Sequence, residues 1–185
     1  MEKGKSSSIE LVRYAPDRAN EWNDVVACSR NGTFLLDRAY MDYHAERFQD
    51  HSFLVLKKGR VEAVIPGNRW GSVFCSHQGL TYGGVISTEN IGAVDMLEIF
   101  RLMNERLRSD GCSSVVYKPV PSIYHRLPAE EDLYALFRIN ARLTARQISS
   151  SIVQDRKIPF IESRKSGIRK ALRNGVQFQE SEDYG

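Results

Sequence analysis

Three groups of residues in this chain have the types and spacing to do chemistry. The first is the run His77-Gln78-Gly79-Leu80-Thr81-Tyr82-Gly83-Gly84-Val85. Gly79, Gly83 and Gly84 let a backbone pass close to another group, while His77 and Tyr82 offer polar tips. Such a loop walls a substrate groove, or it is a tight strand connection that needs positive φ. The second group is Lys118, Tyr124 and His125, which follow an apolar run at the strand end where α/β folds place ligands. Tyr124 or His125 can hydrogen-bond an acceptor and His125 can act as a base; the duller reading makes them props for the Pro119–Pro121 turn. The third group is basic. Lys165, Arg169 and Arg173 recur every four residues and share a helical face, with Ile161, Ile168 and Leu172 read as the opposite, apolar one. That face suits phosphates of tRNA, CoA or a nucleotide-linked precursor, or it is a solvated helix surface.

Other chemistries find less support. Cys75 and His77 lie close in sequence, but no further ligands cluster with them, so no metal site is expected. Cys28 and Cys112 read as buried, with no histidine or basic helix end to activate a thiolate. His44, beside Tyr40 and Tyr43, reads as a core histidine. Glu130-Glu131-Asp132 reads as the negative first turn of a helix.

Composition bounds the setting. The 185 residues are 42% hydrophobic and 26% charged, enough for a real core in one domain, or in one domain plus the opening of another. The net charge of +3 is unevenly spread: seven basic residues and one acid, Glu162, lie between Arg156 and Arg173. The rest of the chain is slightly acidic. Three scattered cysteines without a CxxC pair suit a reducing cytoplasm, and no run of about 20 apolar residues is present to span a bilayer. A DNA-binding role is not expected, since no recognisable nucleic-acid module accompanies the cations.

The elements that must position these residues can be read from periodicity. A short strand over 9–14 precedes a helix from Pro16 to Cys28 with Trp22, Val25 and Val26 inward. A second helix is expected over 38–48, with Tyr40, Tyr43, His44 and Phe48 inside. Strands over 52–57 and 60–66 flank Lys58-Gly59 as a hairpin, and another strand covers 72–76. The longest helix is expected over 89–109, capped by Ser87 or Thr88, with Val94 and Leu97 in its stripe. A buried strand over 112–120 follows, then a helix over 128–138 with Leu133, Leu136 and Phe137 inward. A strand over 143–154, a basic helix over 163–174 and a strand over 176–180 complete the series. This order predicts a mixed α/β fold, a sheet covered by helices. The last strand has nothing after it to pack against, so continuation beyond Gly185 is expected.

Four segments together resemble FemAB-like members of the GNAT acyltransferase superfamily. They are Asn31-Gly32-Thr33-Phe34 leading to Tyr40-Met41-Asp42-Tyr43-His44 and Arg47-Phe48, Ser76 to Gly84, Tyr117 to His125 with Glu130 to Phe137, and Arg164-Lys165-Ser166-Gly167-Ile168-Arg169-Lys170-Ala171 with Asn174-Gly175-Val176. The last is similar to the signature that leads from lobe one into lobe two of such enzymes. The resemblance spans roughly 9–184. It implies a GNAT-like lobe over 9–155 with helices on a largely antiparallel sheet, and the start of a second lobe over 156–185.

The implied activity is N-acyl or aminoacyl transfer to an amine, the acceptor being a small molecule or a peptidoglycan precursor. The implied donor is acetyl-CoA or another acyl-CoA, or aminoacyl-tRNA in the branch that builds peptidoglycan bridges. Backbone N–H groups beside a splayed strand polarise the donor carbonyl in such folds. The usual Q/R-x-x-G-x-G/A pyrophosphate loop between a strand and a helix is missing; the nearest string, Arg164 to Arg169, lies inside a predicted helix. The donor site is therefore expected in a second lobe, with this chain inactive alone. The alternative is a non-catalytic binding or assembly module of the same fold that self-associates as a homodimer.

Overall fold

The computed structural model describes residues 9–43, 45–148, 150 and 152–180. The chain divides into two compact units, Met1–Arg142 and Leu143–Gly185.

The first unit begins with β1 (Ile9–Arg13), a 3-10 turn at Pro16–Arg18, and α1 (Ala19–Cys28). As the sequence predicts, Trp22, Val25 and Val26 are buried. Next come α2 (Arg38–Asp42), β2 (Gln49–Asp50), and the hairpin of β3 (Phe53–Lys57) and β4 (Arg60–Ile65). Lys58 and Gly59 both take positive φ in its turn. Then β5 (Asn68–Trp70) turns back at Gly71 into β6 (Val73–Cys75), and the loop 76–85 leads to β7 (Ile86–Ser87). Helix α3 (Ala93–Ser109), strand β8 (Ser114–Val116) and α4 (Glu131–Arg138) complete it.

One sheet runs β1-β3-β4-β7, antiparallel throughout; the other runs β2-β5-β6-β8, with β6 and β8 parallel. Alternation along the central hairpin sends successive side chains to opposite faces, and both faces are covered. Phe53, Val55 and Ile65 join Phe74, Ile99 and Phe100 in one core. Leu54 and Val64 join Trp22, Val25, Leu36 and Ile86 in the other.

Several expectations need correction. α2 ends at Asp42, followed by a 3-10 turn at Ala45–Arg47; its inward residues are Arg38 and Met41, while Tyr43 is 83% exposed. The inward place goes to Arg38 because its guanidinium stacks 3.8 Å from the Tyr14 ring centroid and 4.9 Å from that of Trp22. His44 lies outside the described residues. α3 starts at Ala93 after Gly92, so neither Ser87 nor Thr88 caps it, and Val94 faces solvent. The strand expected over 112–120 is three residues long and exposed, with Val116 at 49%, because β8 ends its sheet with no neighbour on the far side among the described residues. On α4, Ala135 and Asp132 are buried instead of Leu133 and Phe137; Phe137 is 74% exposed. Cys28 is exposed.

The second unit holds a 3-10 turn at Gln154–Arg156 and α5 (Glu162–Arg173), near the range the sequence predicts. Neither expected strand forms among its described residues. A strand needs a ladder partner for its backbone groups, and Arg146 and Gln147 interrupt the only apolar alternation there.

Candidate functional site

The loop between β6 and β7 is fixed by its own neighbours. At Gly83 a Cβ would lie 2.2 Å from the Ser76 carbonyl oxygen, and the Gly83 N–H donates to Lys118 O at 2.8 Å. At Gly84, with φ +86, a Cβ would lie 2.7 Å from the Tyr117 hydroxyl. The close approach these glycines allow is thus taken by protein groups. Lys118 is a clamp: its Nζ donates to Leu80 O at 2.5 Å and its N–H to Ser76 Oγ at 2.7 Å. Burial lowers its ammonium below the ordinary lysine range.

His77 is 5% exposed, at φ +63, with its ring edge-on to Phe48 and a buried Nδ1 that no protein group satisfies. Burial holds its pKa down to about 4, so the ring is neutral near pH 7. Tyr82 and Tyr124 do come together, ring centroids 5.4 Å apart. The Tyr82 hydroxyl hydrogen-bonds Thr33 Oγ1 at 3.0 Å, which ties the buried ring to the segment before Phe34. Tyr124 is 48% exposed beside that buried ring. His125 does not share the surface role: its Nε2–H donates to Val120 O at 3.0 Å and its Nδ1 is buried. That arrangement props the turn. Lys165, Arg169 and Arg173 lie on α5 in the second unit; Glu162 pairs with Arg169 and lies 4.0 Å from Lys165.

Sequence reading missed the groups that close β7. The Val85 N–H donates to Tyr117 Oη at 2.8 Å, and Tyr117 donates to Asp132 Oδ2 at 2.7 Å. Asn31 bridges the same edge, giving its Nδ2–H to Val85 O and accepting the Ser87 N–H, while the Arg30 N–H donates to Ser87 O. Every outward backbone group of Val85 and Ser87 named here has an internal partner. Burial, then the neighbouring carboxylate, pushes Tyr117 well above its ordinary value; burial also raises Asp132. The acids of the first turn of α4 are therefore anchors: Asp132 holds Tyr117, and Glu131 accepts from Arg30 at 2.7 Å.

The connection from β7 to α3 is closed in a similar way. A helix N-terminus is a ready anion site. Here the Asp95 carboxylate accepts the N–H of the N-cap Gly92 at 3.0 Å, while Lys57 Nζ pairs with the same oxygen at 2.7 Å. A groove of about 640 Å³ beside it is lined by Glu21, Asp24, Glu62, Glu89 and Arg60, four carboxylates to one guanidinium.

No family model and no curated protein matches this sequence. Among solved structures, an aminoglycoside N-acetyltransferase, AAC(6')-Iy in complex with CoA, aligns with TM-score 0.51 and 11% identity, over 80% of this chain and 96% of that chain. The fold is the GNAT acetyltransferase fold. An acetyltransferase of Trypanosoma brucei aligns over 78% of this chain and 99% of its own, with 14% identity and TM-score 0.45. Beside β7 the outward backbone groups of Val85 and Ser87 are bonded internally, and at the α3 N-terminus the Asp95 carboxylate accepts the Gly92 N–H. Among the described residues there is no group of histidine, cysteine and carboxylates that could hold a metal, and no helix long and apolar enough to cross a membrane.

Proposed function

We propose that this chain is the acceptor-side lobe of a two-lobed, FemAB-like N-acyltransferase whose acyl or aminoacyl donor is bound outside it. The closed β7 edge carries this reading. A lobe that polarised a donor carbonyl would keep backbone N–H groups open beside its splayed strand. In this chain Tyr117 and Asn31 occupy that edge instead. What remains open is the Tyr82–Tyr124 pair, a rigid ring face next to the Thr33 hydroxyl. We assign it to the amine acceptor, with Tyr124 a binding residue; Gly83, Gly84 and Lys118 hold its loop in place. With the donor elsewhere, the isolated chain is inactive.

In a two-lobed protein carrying this lobe, Tyr124→Ala is expected to lower kcat/KM for the acceptor by roughly tenfold, the size of one lost ring contact, while KM for the donor stays put. Steady-state kinetics with both substrates varied measures this. Unchanged acceptor kinetics would remove Tyr124 from the site. The closed edge equally suits a non-catalytic module that self-associates, and sedimentation separates the two: that reading needs a stable homodimer of the chain.

A further inference from the structure

The segment Ile158–Phe178 leaves its large apolar side chains in solvent. Ile158, Phe160, Ile161, Ile168, Leu172, Val176 and Phe178 are all exposed, and α5 is exposed along nearly its whole length. At 100° per residue, Ile161, Ile168 and Leu172 fall in one stripe. Arg164 lies on one flank of that stripe, and Lys165 then Arg169 on the other. The cations therefore border the apolar face, which corrects the expectation that the two are opposed. Ser163, Ser166 and Gly167 form the back of the helix with Lys170. Phe160 and Phe178 stand just outside its two ends.

This arrangement is the one that lets a helix lie flat in a lipid headgroup layer. Apolar side chains sink toward the acyl chains, and long cationic stems reach back up to phosphate. The charge is complementary: seven basic residues and one acid between Arg156 and Arg173 face an anionic surface. The single acid, Glu162, is neutralised within the helix by Arg169 and Lys165. A nucleic acid would use the cations but would gain nothing from Ile168 and Leu172 at the centre of the basic face. We infer that α5 and its flanking phenylalanines form a docking surface for an anionic phospholipid membrane.

Co-sedimentation of the full chain with vesicles tests this. Binding is expected to equal mixtures of phosphatidylglycerol and phosphatidylcholine, and not to phosphatidylcholine alone. The double variant Ile168→Glu/Leu172→Glu is expected to weaken vesicle binding by at least roughly tenfold, because it places charge in the buried stripe. Circular dichroism and thermal melting should show the Met1–Arg142 unit unaltered. Gly167→Ala offers a gain-of-function arm: nothing lies within 4 Å of the added Cβ. By favouring the helix it should tighten binding by about fivefold. Absence of binding to the anionic vesicles overturns the proposal, as does binding that ignores the two glutamates. So does tRNA binding that survives the two glutamates without vesicle binding, which would assign the helix to nucleic acid.

Discussion

Tyr117→Phe is expected to destabilise the fold by about 2–4 kcal/mol, although it removes a single oxygen. That oxygen accepts the Val85 N–H and donates to Asp132, so its loss strands a backbone donor and one oxygen of a buried carboxylate. The ring itself stays packed against Phe100, whose centroid is 5.5 Å away, so little apolar contact is lost. Urea denaturation should show a lower midpoint with an unchanged slope. Hydrogen exchange gives a local check, since the Val85 amide should lose protection while the β3–β4 amides keep theirs. Adding Asp132→Asn should cost less than it does alone, because the two groups act as a pair. A destabilisation below about 0.5 kcal/mol would mean that water replaces the hydroxyl freely and that the β7 edge is open.

Acidification should destabilise the protein before any carboxylate network fails, and His77 should carry most of that effect. Its folded pKa of about 4 lies below the ordinary 6.5, so between those values the unfolded chain binds more protons. Stability is fully present above pH 6.5 and falls as pH drops toward 4. The full shift corresponds to about 3 kcal/mol, of which roughly 2.5 is lost by pH 4.5. His51 acts in the same direction: burial lowers its pKa, and it already accepts from Arg13 at Nδ1 while facing Asp110 at Nε2. Asp132 opposes both, because a raised carboxylate pKa favours the folded state on acidification. His77→Asn keeps a residue that tolerates positive φ. Its urea-derived stability should drop between pH 7.5 and 4.5 by about 2 kcal/mol less than that of the wild type. Equal slopes for the two proteins would show that His77 is protonated in the fold.

Local pattern was a good guide wherever an element is buried against its own neighbours. The β3–β4 hairpin was legible because two apolar runs flank Lys58-Gly59, and α1 because Trp22, Val25 and Val26 recur at helical spacing. Elements whose environment is set by distant residues were not legible. Tyr40 and Tyr43 look like an inner face only until Tyr14 and Trp22 claim Arg38. The run ending in Val115-Val116-Tyr117 looks buried because apolar content does not report whether a strand has one neighbour or two. Of the candidate site, Tyr82 and Tyr124 were each legible as polar tips on loops, but their pairing was not: it follows from β6 and β8 lying parallel side by side. The Tyr117–Asp132 pair was not: the acids of 130–132 have a sufficient local role as a helix first turn, and only the fold brings Asp132 to Tyr117. The glycines misled for a related reason. A positive φ or a close approach is visible in a Gly-Gly pair, but the group that approaches is not.

The most direct test of the central claim is calorimetric titration of acetyl-CoA into the chain at low salt, repeated at two temperatures so that a vanishing enthalpy cannot hide binding. The closed β7 edge and the Asp95 carboxylate at the α3 N-terminus predict no heat of binding at either temperature. One site per chain that survives moderate salt would contradict the account, placing a donor site within this chain.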